Sequence, residues 1–593
     1  MAYELYTGNP YDEQAKVAYF MRLFGFQRIR RVLHETQWEE SAALCWPEYR
    51  NSFAFGHVRP PGAKYTEFQV DTSGSIAAHR FMSICDALLT PYSVLWSVVR
   101  ASDPALMRDR AVKEYFSEVT RTLWTARYKS QANFLSQNQN NYHGLGVFGN
   151  AYMMIDQLDP TPLTEQGLRY VGCSVGEIYR LVNHQGRTDG FIRHFRWSAR
   201  QAHQRWGDKI PPALHAALAQ NSSVLYDFLQ FVIPRTDYDP HKILSPEGKP
   251  WSSTYISITG YCILEEGGYR TFPLACGGYI HAPEEDYDRG PAQMVLPSLK
   301  TLNAEKGVFL RQGHLAGDPA YLIGDDGLID FKRHPGSFNY GGYTSDGKPL
   351  VSILPTGQIQ VTQEMMAVEQ KAVDDAFLVS LFPLLFDNKG GQKSAREVIE
   401  AANDRGVFLA PTLGRMYGEY LGTMIDRELD LLSYMGKLPK QPPALREAKG
   451  EYQIVYTSPL ARSLSNQKIA GFMRTVEIGN QVVQVTGNNA LMDIFEFDTA
   501  LQDIGEEQFV PPEWFATAQK IAQARKGRSQ AAERERQVKE LPGRAAMAKA
   551  QAITAKAQIG GNTGGTLSGQ PEGAMPMMPG QSTPGGRAFG EPG

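Results

Sequence analysis

Apolar residues recur at helical spacing over residues 10–33 and again over 71–139, where Thr90-Pro91 and Asp103-Pro104 interrupt the pattern. The polar run Ser136 to Asn141 predicts the end of that helical stretch. Strand-type runs follow at 149–155, 177–183 and 190–197, with Arg187-Thr188-Asp189-Gly190 as a turn between the last two. A helix is expected near 198–207, and strands within 224–232 and 251–264, with turns at Gly267-Gly268 and Gly277-Gly278. This first part of the chain therefore reads as α+β.

The stretch from Gly290 to Pro439 has a different rhythm. Val295, Leu299, Leu302, Phe309 and Leu310 fall near helical spacing, with Pro291 and Pro297 toward the start, where proline is tolerated. Gly317-Asp318-Pro319 breaks that helix. Residues 320–357 then hold Asp326-Gly327, Pro335-Gly336, Gly341-Gly342 and Asp346-Gly347 between short β-type runs at 321–323, 328–331 and 350–354, which predicts a small hairpin module. A second helix is expected to start at Thr362 as N-cap, with Met366, Val373, Phe377, Leu381 and Leu384 forming one apolar stripe. Each of these two helices is a rod of roughly 33 Å at ~1.5 Å per residue, and together they carry the β module as a tip. Asp387 to Lys393 interrupts the helical pattern as a Gly/Lys loop. Ser394, with Glu397 as its capping-box partner, opens a third helix that ends at Gly436 and Pro439. Gly406, Pro411, Gly414, Gly418 and Gly422 predict that this long helix is kinked or closely packed.

Composition narrows the chemistry. A chain of 593 residues calls for several domains, and 42% apolar residues can fill real cores. The formal net charge of −3 supplies no overall polycation to clamp a duplex. No apolar run is long enough to span a membrane and Met1 opens no signal peptide, so a membrane partner is not expected. Cys45, Cys85, Cys173, Cys262 and Cys276 are scattered, which predicts reduced thiols and no zinc site.

Three literal enzyme motifs carry little chemistry. Gly172-Cys173-Ser174-Val175-Gly176 has the G-x-S-x-G letters of a nucleophile elbow, and a serine hydrolase centred on Ser174 is the enzymatic alternative. That elbow needs a helix after the serine, and residues 177–182 look like a strand. Gly144 to Gly149 matches G-x-G-x-x-G, but it follows a helix and precedes strand residues, the reverse of a dinucleotide loop. Gly390-Gly391-Gln392-Lys393-Ser394 lacks the Gly-Lys-Ser adjacency of a P-loop. The twelve histidines are dispersed, and the acidic pairs Asp325-Asp326 and Glu284-Glu285-Asp286 read as loop charges. No catalytic residue, cofactor or metal is expected.

Several phrases, in this order and spacing, resemble the head-to-tail connector (portal) proteins of short-tailed bacteriophages over about residues 20–520. They are Trp38-Glu39 and Pro47; Asp71-Thr72-Ser73; Thr90-Pro91 and Trp96; Phe148-Gly149-Asn150-Ala151; Arg289-Gly290-Pro291 with Leu302-Asn303; Pro335-Gly336; Ser394-Ala395-Arg396-Glu397-Val398; Leu413-Gly414-Arg415, Glu419 and Arg427; and Gly436-Lys437-Leu438-Pro439. Two departures are the Ser-Ala-Arg-Glu phrase where the family's pattern reads Thr-Ala-Thr-Glu, and the tail after Gly560.

The resemblance implies a portal-type α+β fold. Its parts would be a wing (1–284 and 394–510, the latter with the long kinked helix), stem helices at 285–317 and 362–386, a β clip at 318–361, a channel loop at 387–393, a helical crown at 511–557 and a Gly/Pro-rich tail at 558–593. It implies a homo-oligomeric ring, usually of twelve subunits, at one capsid vertex. Its partners would be double-stranded DNA, the major capsid and scaffolding proteins, the packaging terminase ATPase and a tail adaptor. The ring would sit in the virion, and in the host cytoplasm during assembly. Lys389 and Lys393 would line the channel and touch phosphates of the passing duplex. The non-enzymatic alternative is a monomeric DNA-binding virion protein.

Beyond Pro511-Pro512 the composition shifts. Residues 520–557 carry ten Lys/Arg against three Asp/Glu, a net of +7. Strong helix formers dominate, with interruptions expected at Gly527 and Pro542-Gly543. Gly560 to Gly593 has no periodicity and is expected to be disordered.

Overall fold

The computed structural model describes residues 12–559, except for 380–412, 487–493, 506–515, the shorter stretches 56–59, 161–164, 243–244, 324–331, 356–358, 449–450, 498–499 and 502–503, and positions 54, 61, 496 and 517. Contacts divide the chain into Met1–Pro512 and Glu513–Gly593.

The first unit opens with α1 (Glu13–Cys45), capped by Asp12 accepting from the Ala15 amide. Helix α2 (Ser73–Leu89), strand β1 (Ser97–Ala101) and helices α3 (Arg110–Arg127) and α4 (Phe134–Phe148) follow. The expected break at Ser136–Asn141 is corrected here: those polar residues sit inside α4. Asn138 and Asn141 are buried there and satisfied by remote side chains, so the helix keeps its backbone ladder. Strand β1 was hidden inside the helical pattern of 71–139. It pairs antiparallel with β12 (Tyr452–Tyr456) from the far end of the unit, which no local pattern could supply.

Strands β2 (Asn150–Leu158), β3 (Gly167–Cys173), β4 (Ile178–Val182), β5 (Thr188–Ser198), β6 (Leu225–Pro234), β7 (Trp251–Ser257), β8 (Cys262–Tyr269) and β9 (Leu274–Gly278) build two antiparallel sheets. Their orders are β3-β2-β9 and β4-β5-β6-β7-β8. The larger sheet is covered on both faces. Val17, Phe20 and Phe24 of α1 meet Tyr179, Ile192, Leu229, Phe231 and Ile256 on one face. Helices α5 (Ala199–Trp206) and α6 (Pro212–Ala219) bring Ala202, Trp206 and Leu214 against Phe195, Phe228 and Tyr255 on the other. The period of two along β6 sends Phe228 and Leu229 to opposite cores. Each such side chain contributes roughly 1.5–3 kcal/mol by burial. The main core lies under α2, α3, α4 and the β2 sheet.

A short helix and a long one begin the next region. Pro291 opens α7 (Pro291–Met294) and Pro297 opens α8 (Leu296–Gly317), so each proline sits in a first turn and the rod breaks once between them. Strands β10 (Tyr321–Ile323) and β11 (Val351–Ile353) pair antiparallel at the tip across residues 324–350, while the strand expected at 328–331 lies outside the described residues. Helix α9 (Ile359–Ala376) returns antiparallel to α8. Thr362 is not its N-cap, because the helix starts three residues earlier; its hydroxyl instead meets Gln312 Oε1 on α8 at 3.2 Å.

The described part of the third long helix begins at Leu413. It runs through a π-helical turn, Met416–Gly422, into α10 (Thr423–Tyr434), and ends with Gly436 at φ +67° as the sequence expects. Helix α11 (Pro443–Glu447), β12 and α12 (Pro459–Thr486) complete the unit. Among the described residues the second unit holds one helix, α13 (Ala518–Ile559), which is continuous through Gly527 and Pro542, against expectation. Proline costs a helix interior about 3 kcal/mol, and a long Ala/Gln/Arg/Lys sequence of high propensity offsets that. No described helix is long and apolar enough to cross a membrane.

Candidate functional site

The rods emerge from a tightly built root. At the end of α4, Gly149 adopts φ +75°, and a Cβ there would lie 2.4 Å from the Arg289 carbonyl carbon and the Gly290 nitrogen. Only glycine lets the two backbones cross so closely. Asn150 then donates to the Phe148 and Asp288 carbonyls, both at 2.9 Å, and accepts from the Asp288 amide at 3.2 Å. The Asp288 carboxylate is buried and gathers Arg180 at 3.0 Å, His281 at 3.2 Å and Arg415 at 3.4 Å. One carboxylate thus joins the β4 strand, the root of the rods and the start of the long helix.

The long helix is pinned by buried polar groups along its length. Tyr420 in the π-turn donates to Asn138 Oδ1 and accepts from Asn141 Nδ2, both at 3.0 Å. Arg427 donates to the Ile155 carbonyl at 3.3 Å and to Thr271 at 2.9 Å, and burial lowers its pKa. Deepest is Glu428, fully buried, which receives Arg127 Nε at 3.1 Å and Nη2 at 2.5 Å and Tyr170 Oη at 2.5 Å. Trp96 lies 4.2 Å from the same guanidinium. Burial pushes the Tyr170 phenol well above its usual range, so it stays a donor to Glu428.

Several phrases far apart in the sequence meet here. Phe148-Gly149-Asn150 touches Asp288-Arg289-Gly290, which touches Arg415. Asn303 of α8 accepts from the Val70 and Asp71 amides at 2.8 and 3.0 Å, placing Asp71-Thr72-Ser73 against the first rod.

The enzyme motifs resolve into structure. Ser174 lies in a turn between β3 and β4, so strand-turn-strand replaces the strand-turn-helix of an elbow. Its hydroxyl accepts from the Gly176 amide at 3.2 Å, while His194, lining the same cleft, is paired with Asp227 at 2.8 Å. The turn is held by Arg31, buried in α1, whose Nη1 donates to the Val175, Gly176 and Ile178 carbonyls at 3.4, 3.0 and 3.3 Å and whose Nη2 donates to Tyr179 at 2.7 Å. Gly144 to Gly149 is the last turn and cap of α4, not a phosphate loop. Among the described residues no group of three metal-ligating side chains forms. The five cysteines are free thiols, and burial raises Cys45 and Cys173 to about 12. Lys389, Lys393 and the Gly390 to Ser394 run lie outside the described residues. So do Asp325 and Asp326. The sequence reading missed Arg31, Arg127, Asp288 and Glu428, because buried charges carry no local signature.

The rods and tip look quite different from this pinned interior. Between 318 and 355 none of the described residues is buried. Phe338, Tyr340 and Tyr343 are 80%, 83% and 71% exposed. Along α9, Val361, Met365 and Val368 are also exposed.

Comparison with known proteins identifies the family. The family model described as bacteriophage head to tail connecting protein matches residues 22–515, and the chain belongs to that family. A probable portal protein of Bordetella phage BPP-1 is 23% identical over 536 residues, covering 87% of this chain and 92% of that protein. The portal protein of Salmonella phage epsilon15 is 24% identical over 516 residues, covering 85% and 89%. A chain from the virion of a native gene transfer agent particle aligns over 72% of this chain and 92% of its own at 14% identity, with a TM-score of 0.33, too low to carry an argument.

Proposed function

We propose that copies of this chain close into a ring, by family usage of twelve, at one capsid vertex and act as the portal through which double-stranded DNA is packaged and later ejected. The observation that carries the reading is the uncovered rod and tip beside an interior whose buried charges Arg127, Asp288 and Glu428 are paired within the chain. A hairpin of three residue pairs with no buried side chain is marginal alone, and neighbouring copies would cover it. The role is structural. The packaging ATPase supplies the work, the tip receives first that ATPase and later the tail adaptor, and the α+β body meets the capsid and scaffolding proteins.

Lys389 and Lys393 form the cationic ring that touches phosphates. A duplex neutralised at Z phosphates is held with a salt slope near −0.9Z. Some two dozen simultaneous contacts would therefore arrest DNA, so the contacts are few, exchangeable and carried on a glycine-bearing loop. The basic α13 forms a collar toward the packaged genome.

Light scattering and negative-stain micrographs of the purified protein test the ring. Annular particles many times the 66.0 kDa chain mass are expected. A single-chain mass at every concentration would overturn the reading in favour of a monomeric virion protein. For the channel contacts, Lys389→Ala with Lys393→Ala should alter packaged genome length or retention in assembled particles, and wild-type values for both would remove them from the channel.

A further inference from the structure

The outward faces of the two rods match each other. On α9, Val361, Met365, Val368 and Ala372 follow a four-three-four spacing, the seam pattern of packed helices. Val361, Met365 and Val368 are 49%, 53% and 68% exposed. On α8, Ala304, Val308, Arg311 and Leu315 follow the same alternation, with Val308 and Leu315 40% and 48% exposed. Both stripes lie about a third of a turn round from the contact that joins α8 to α9 within one chain, at ~100° per residue. The charges beside the stripes are opposite, Arg311 on α8 against Glu364 and Asp375 on α9, while Lys300 already pairs with Glu40 at 2.8 Å within the chain.

We infer that the outward stripe of α9 in one copy seats against the outward stripe of α8 in the next, and that Arg311 and Glu364 pair across this seam. The inference rests on the ring reading above and names its contact. The hydrogen bond from Thr362 to Gln312 fixes the relative height of the antiparallel rods. Counting away from it in opposite directions sets Glu364 level with position 310, about one residue rise, ~1.5 Å, from Arg311. Rotation about a shared axis leaves heights along that axis unchanged, so for rods running along it the neighbour's Arg311 stays level with Glu364. The contact is heterologous, one face against a different face, which is the kind that closes a ring.

Mixed assemblies of full-length Val308→Cys and Met365→Cys chains test the seam by oxidation. Adducts of twice the chain mass are expected only when both variants share annular particles, above the background of the unsubstituted chain. Arg311→Glu should raise the concentration for half-assembly about two- to fivefold, and Glu364→Arg in the same chain should restore it. Annular particles without the adduct, adducts formed by Met365→Cys alone, or failure of the second charge reversal to rescue would overturn the seam and leave the ring standing. A wild-type chain that never forms annular particles would remove the ring and the seam together.

Discussion

The interior around α4 and α10 and the region formed by the α8–α9 rods with their tip solve opposite problems. In the first, Glu428 and Arg127 are fully enclosed and each meets charged or hydrogen-bonding partners. In the second, Phe338, Tyr340, Tyr343, Val361 and Met365 face solvent. The buried charges of the first find partners within the chain, whereas the rods and tip present apolar surface that the chain leaves uncovered. A buried ion pair adds little net stability against an apolar replacement. What Arg127–Glu428 supplies is register, fixing which turn of the long helix lies over β3.

The sharpest way to break the comparison is Glu428→Ala. It leaves Arg127 enclosed without its carboxylate and Tyr170 without its acceptor, and should cost about 3–5 kcal/mol. Thermal unfolding of the unassembled variant measures this, and a shift below about 1 kcal/mol would show that the interior tolerates an unpaired charge.

His143 gives an intermediate test. Burial against Trp46, with His79 nearby, lowers it to about 3. The folded state therefore holds it neutral while the unfolded chain protonates near the ordinary 6.5. Stability from this site is intact above that value and is lost as pH falls from about 6.5 toward 3, at up to ~1.4 kcal/mol per pH unit. His143→Phe should flatten the acid limb of the unfolding profile in that window, and an unchanged slope would assign the acid sensitivity elsewhere.

The smallest effect belongs to the tip. Phe338→Ser with Tyr340→Ser should leave the unassembled chain within about 0.5 kcal/mol of the original, because neither ring is buried. A loss above about 1 kcal/mol in that same chain would mean the tip holds internal packing of its own.

How much of this was legible follows from where each residue finds its partner. The helices of the two rods, the strand runs at 321–323 and 350–354, the proline-opened helix starts and the stop at Gly436 were readable, since spacing decides them locally, whereas the pairing of the two strands joins residues far apart in the chain. The Asn/Gln run of α4 misled, because its amides are satisfied by Thr90 and Tyr420 from elsewhere in the chain. The short β1 strand was lost for the same reason, its partner β12 being remote. Thr362 had the letters of a cap but serves a neighbouring helix. The family phrases were visible as letters, while their meeting at Asp288 belongs to the fold.

The π-turn at Met416–Gly422 holds one residue more than an α-helix of the same rise would use. Removing that surplus residue would let the segment close as ordinary α with both flanks kept on their present faces, Arg415 toward Asp288 and Arg427 toward Thr271. The same deletion inside α10 has no slack to absorb it and would turn one flank by about 100° against the other. The π-turn is thus a surplus link, the place in this helix where a one-codon loss removes a residue without turning the faces on either side.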